Sequence, residues 1–162
     1  MERTFVFNEL PKNMEALREL PEFAMSDPFM TAALTVAALC RYETNPDDTV
    51  AMLNALRGPR ALSTFEIQFL RDRLEGKGYK PFSFFQGATP ANNYTPSQPF
   101  TISIQDDPYS YQNEGYVRLQ LHSFGADSPR PITLRQKGDQ WMLWEQMLLA
   151  DIRTPAKDDP WA

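Results

Sequence analysis

The chain has 162 residues, of which 42% are hydrophobic, 12% aromatic and 23% charged. A compact chain of this length buries roughly 70% of its unfolded surface, enough for one domain without disulfides or a structural metal. Sixteen basic residues face 21 acidic ones, a formal charge of −5, and a field of that sign repels polyanions, which argues against nucleic acid as a partner.

The start, MERTFVFNELPK, has no long apolar run behind its charges and does not resemble a secretory signal. With a single cysteine, Cys40, a reducing compartment is expected, and the cytoplasm is the default localisation. Residues Thr4 to Phe7 are a candidate short edge strand, not counted in the sheet described below. Asn13 caps a short helix that Pro21 ends, and Asp27-Pro28 pairs an N-cap with a proline at the first helical position. The stretch that follows, PFMTAALTVAALCRY, is the most apolar in the chain. As a helix at about 1.5 Å per residue it is roughly 22 Å long, short of a ~30 Å hydrocarbon layer, so a buried central helix is expected and no membrane span. Asn45-Pro46 repeats the start signal, Gly58-Pro59 stops that helix, and Ser63 with Glu66 forms the capping box of a fourth.

After Gly78 the signals change. Residues 87 to 99 are dominated by loop formers, and beyond them the apolar period becomes two: FTISIQ, YVRLQLHS and PITLRQKGDQWMLWE each alternate oily and polar side chains. Gly138-Asp139 has the composition of a two-residue hairpin turn. That turn sets Lys137 opposite Gln140, Arg135 opposite Met142, Leu134 opposite Leu143 and Thr133 opposite Trp144. Ile132, Leu134, Trp141 and Leu143 then share one face, and Arg135, Lys137, Met142 and Trp144 the other. The expected fold is α+β in a single domain: N-terminal helices (about 9–78) packed on one face of a C-terminal four-stranded antiparallel meander (about 99–149), then a tail (150–162).

Catalytic chemistry is poorly represented. Cys40 sits in an apolar helix, where a thiolate is disfavoured, and the lone His122 falls on the wet face of a strand. No GxSxG, GxGxxG or GxxxxGK[ST] pattern is present, and one cysteine and one histidine make a poor zinc set. No catalytic residue, cofactor or metal ligand is therefore assigned.

Two groups of residues are candidates for binding. The meander brings the 87–99 and 124–131 loops to one end with the residues after the last strand, clustering Tyr94, Asp127, Arg130 and Arg153. A phenol and two guanidinium groups suit a small anionic or polar ligand; equally, such residues tie loops together. On the second face of the sheet, Trp144 lies beside Arg135, where a cation–π contact can form. At the end opposite the loop cluster, Tyr109, Tyr111 and Tyr116 lie near the hairpin turn, suited to contacting a protein and equally to packing under a long loop.

The helix TAALTVAALCRY, the run LSTFEIQFLRDRL, the loop GATPANNYTPSQPFTI and the segment SPRPITLRQKGDQWMLWE ahead of DPWA together resemble a family of uncharacterised bacterial proteins, a domain of unknown function. The resemblance spans nearly the whole chain and implies a bacterial, intracellular, single-domain protein. Separately, the PITLRQKGDQWMLWE hairpin is similar to the closing strands of NTF2-like cone folds, in which a curved sheet encloses a ligand pocket. The function expected is a non-enzymatic binding or protein-interaction module. The alternative is a small-ligand-binding protein or simple enzyme with an NTF2-like pocket.

Overall fold

The computed structural model describes residues 1–162. Four α-helices begin where local chemistry places them: α1 (Met14–Arg18), α2 (Pro28–Leu39), α3 (Pro46–Arg57) and α4 (Thr64–Leu74). The Asn13, Asp27, Asn45 and Ser63 side chains accept from the backbone N–H groups of Ala16, Met30, Asp48 and Glu66. The Glu66 carboxylate closes the box by accepting from the Ser63 N–H at 3.0 Å. Every residue of α2 except Met30 is buried. Its hydroxyls are satisfied inside: Thr35 donates to the Thr31 carbonyl at 2.8 Å, and Thr31 to the Trp141 carbonyl at 2.6 Å.

The sheet corrects the expectation of four strands. It has five, all antiparallel and in the order β1 (Glu2–Phe7), β2 (Phe100–Gln105), β3 (Tyr116–Leu121), β4 (Arg130–Lys137) and β5 (Gln140–Gln146). The extra strand is the N-terminal edge candidate, with Phe5 opposite Ile102 and Phe7 opposite Phe100. Phe5 and Phe7 are buried while Thr4 and Val6 are exposed, so alternation does mark the strand. Its partner lies more than ninety residues away, and no turn chemistry announces such a pairing. The sheet consequently draws on both ends of the chain, and a split into a helical half and a sheet half fails at β1.

The β4–β5 hairpin follows the expected register from Lys137 opposite Gln140 to Leu134 opposite Leu143 and then departs from it. Thr133 pairs with Glu145, not Trp144. Trp144 is the extra residue of a β-bulge, which sharpens the local twist and re-aims the side chains beside it. The exposed edge of β5 is also occupied: the Trp141 N–H donates to the Met25 carbonyl at 2.9 Å, and the freed Trp144 carbonyl accepts from the Arg60 guanidinium at 2.7 Å. Those bonds blunt an edge that otherwise invites strand pairing with another chain.

One cluster of 33 buried residues, drawn from all five strands and all four helices, forms the core; it includes Ile102, Ile104, Leu119, Leu121, Ile132 and Leu134. Helix α2 contacts β2, β3, β4 and β5. No helix is long and apolar enough to cross a membrane.

Candidate functional site

The structure brings Tyr94, Asp127, Arg130 and Arg153 to one end of the sheet and directs them at the chain itself. The Arg130 Nε donates to the Ala150 carbonyl at 3.0 Å, its Nη1 to the Ser128 carbonyl and hydroxyl at 2.9 and 3.1 Å, and its Nη2 to the Asp151 carbonyl at 3.1 Å. Arg153 pairs with Asp127. Tyr94 is only 3% exposed, and its hydroxyl donates to the Arg153 carbonyl at 2.6 Å. Burial, with a smaller contribution from Tyr79 stacked on it at 5.4 Å, pushes the Tyr94 phenol up to about 12. The neighbouring Asn92 amide is spent on Gly87, Thr89 and Thr95 within its own loop. Together these bonds clasp residues 148–153 against the domain, burying Leu148, Leu149 and Ile152. Lys80 adds a bond from its buried ammonium to the Leu149 carbonyl at 2.9 Å, and burial holds its pKa below the usual lysine range. The tail docks through this segment and through the Lys157 N–H, which donates to Asn93 at 2.8 Å, whereas Trp161 stays 93% exposed.

The second face of the sheet is differently equipped. The Tyr116 and Trp144 rings meet edge to face at 5.7 Å. The Arg135 guanidinium lies over both, 4.6 Å from the Trp144 centroid and 5.4 Å from that of Tyr116, and Arg60 lies 4.0 Å from the Trp144 centroid. Contacts of this kind contribute about 0.5–1 kcal/mol each where water reaches them. Beside the cluster runs a groove of about 450 Å³ lined by Tyr109, Tyr116, Arg118, Thr133, Trp144 and Glu145. A cleft of about 340 Å³ with Arg60, Arg135, Lys137 and Met142 on its walls adjoins it at Trp144. None of Arg60, Arg118, Arg135 and Lys137 forms a salt bridge.

Of the three tyrosines expected near the hairpin turn, Tyr116 and Tyr109, the latter 67% exposed, line this groove. Tyr111 donates its hydroxyl to Asp106 at 2.7 Å and lines a separate hollow with Met1, Arg3 and Phe29. Burial and that carboxylate push its phenol up to about 12. Sequence reasoning missed Arg60 and Arg118 as members of the face. Arg118 was detectable, since it alternates with buried Val117 and Leu119. Arg60 comes from the α3–α4 connection, where no periodicity applies. The remaining titratable candidates stand apart: His122 is exposed with an edge contact to Phe124 at 4.7 Å, and burial pushes the Cys40 thiol up, away from reactive thiolate.

The architecture is that of a small α+β domain with a five-stranded antiparallel sheet and a cationic, aromatic outer face. The family described as Domain of unknown function (DUF6935) matches residues 9–156, and the chain belongs to it. That membership agrees with the resemblance drawn from the helix, loop and hairpin motifs. No curated protein and no solved structure matches the chain, and the similarity of its closing hairpin to NTF2-like folds has no support among them.

Proposed function

We propose that this protein is a non-enzymatic binding module that engages another protein through the outer face of its sheet. In this reading the helices form a cover on the inner face, and the outer face is left for the partner. The observation that carries it is the placement of Trp144. A bulge sets this residue out of the ladder, between guanidinium groups from two different elements and beside Tyr116. Aromatic and arginine side chains are the types that dominate binding energy at protein interfaces, and bulges recur where a side chain is aimed at a function. A cytoplasmic setting belongs to the same reading, and the lone Cys40 is in keeping with a reducing compartment.

The alternative, a small-ligand site around Tyr94, Asp127, Arg130 and Arg153, has less behind it. The donors of Arg130 are satisfied by this chain's own oxygens, and a ligand would have to displace them. Affinity capture from the native host with wild type and a Trp144→Ala, Arg135→Ala double variant tests the proposal, with circular dichroism to establish that both are folded. Specific partners recovered by wild type and lost from the variant are expected. Identical partner lists remove the outer face from consideration.

A further inference from the structure

Resting on that reading, we infer that the occupant of the outer face is an extended acidic segment with carboxylates at alternate positions. Charge comes first. The chain as a whole is −5, yet this face carries Arg60, Arg118, Arg135 and Lys137, none of them paired with a carboxylate. The acidic group lining the same groove is Glu145. It stands across Thr133 from Arg118 in the row Arg118, Thr133, Glu145, two strands away, and forms no ion pair. A local excess of guanidinium groups without an ion-pair partner on an otherwise acidic molecule selects a complementary partner by attraction here and repulsion elsewhere.

Register supplies the spacing. Tyr116 lies opposite Arg135 and Thr133 opposite Arg118, so Arg118 and Arg135 are diagonal neighbours on one face. Diagonal neighbours stand about 7–8 Å apart. In an extended chain, residues i and i+2 project to the same side about 6.8 Å apart. An acid-x-acid segment laid across β3 and β4 therefore sets one carboxylate on each guanidinium, each able to accept two N–H bonds from an arginine fork. The Tyr116 and Trp144 rings then lie under the adjoining residue on the Arg135 side, and Glu145 disfavours a third carboxylate at the far end of the Arg118 row. Strand addition at the edge of β5 is not the mode, because Met25, Thr31 and Arg60 already occupy its backbone groups.

The test is fluorescence anisotropy with the full chain and three labelled nonapeptides. One has two glutamates at alternate positions among serine and glycine, one has the same composition with the glutamates contiguous, and one has lysine in place of each glutamate. Saturable binding of the first is expected, several-fold tighter than the second and at least tenfold tighter than the third. Arg118→Glu, a substitution at an exposed position, should weaken it at least tenfold without moving Tm. No saturable binding, equal binding by Arg118→Glu, or equal binding of the contiguous peptide overturns the inference. So does competition by a single-stranded oligonucleotide of equal charge that matches the unlabelled peptide, which marks a generic polyanion surface. Host partners lost in the Trp144→Ala, Arg135→Ala variant while all peptides fail would leave the interface standing and this occupant refuted.

Discussion

Replacing Tyr94 by phenylalanine removes one hydroxyl from the clasp and leaves the ring stacked on Tyr79. At neutral pH the variant loses the bond to the Arg153 carbonyl and leaves that oxygen in a half-buried site, which destabilises by about 1–2 kcal/mol. The same hydroxyl gives a distinctive pH signature. Folding raises the phenol from its ordinary 10.0 to about 12, so the folded state favours the neutral form. For an acid raised in this way, the linked stability is complete below the unfolded value and is lost as pH climbs towards the folded one. With one proton difference over one pH unit, the advantage of wild type over Tyr94→Phe should shrink by roughly 1 kcal/mol between pH 8 and pH 11. Urea unfolding of both proteins at the two pH values measures this as a double difference, in which Tyr79, Tyr42 and Tyr111 cancel to first order. A stability gap unchanged between pH 8 and pH 11 would show that the Tyr94 hydroxyl is not held neutral by the fold, and the clasp as described would fall.

Gly58→Ala should destabilise by about 1–3 kcal/mol, because the backbone there has φ of +67° and a Cβ would sit 3.0 Å from the Met142 sulfur. Thermal unfolding reads the loss, and Gly76→Ala, also at positive φ but with open space around it, separates backbone strain from the Met142 clash. Ser63→Ala should lower stability by about 1 kcal/mol, a fall of about 2–4 °C in Tm, while Ser63→Asp should retain most of it by keeping an oxygen acceptor for the Glu66 N–H.

The elements most legible in the sequence were those decided within a few residues. Asp27 and Asn45 ahead of a proline, Ser63 three residues before Glu66, and Asn13 ahead of an amphipathic run each cap a helix within a few residues of sequence, and all four starts are realised. The hairpin register up to Leu134 follows from a two-residue turn and the period of two. The bulge does not, since an extra residue in a ladder is chosen by twist and packing against the partner strand, and Trp144-Glu145 carries no composition that marks it. Strand β1 was recognisable as a strand and not as a member of the sheet, because alternation reports a face and says nothing of a neighbour. The loop-end cluster shows the same divide. Topology gathers Tyr94, Asp127, Arg130 and Arg153, yet whether a guanidinium looks outwards or into the chain depends on where the Ser128, Ala150 and Asp151 carbonyls point, and a carbonyl has no letter in the sequence.

The pairing of the first strand with a segment that begins at Phe100 sets a timetable for synthesis. A ribosome adding about 5–20 residues each second needs roughly 5–20 s to deliver β2 after β1 has been made. For that interval Phe5 and Phe7, both buried in the finished protein, lack their partner strand. Hairpin β4–β5, closed by two residues, has no comparable wait for its partner strand. The nascent chain therefore carries an adhesive first strand that is paired only when β2 arrives, and polar substitution at Phe5 or Phe7 would relieve that exposure only by weakening the sheet edge those residues secure.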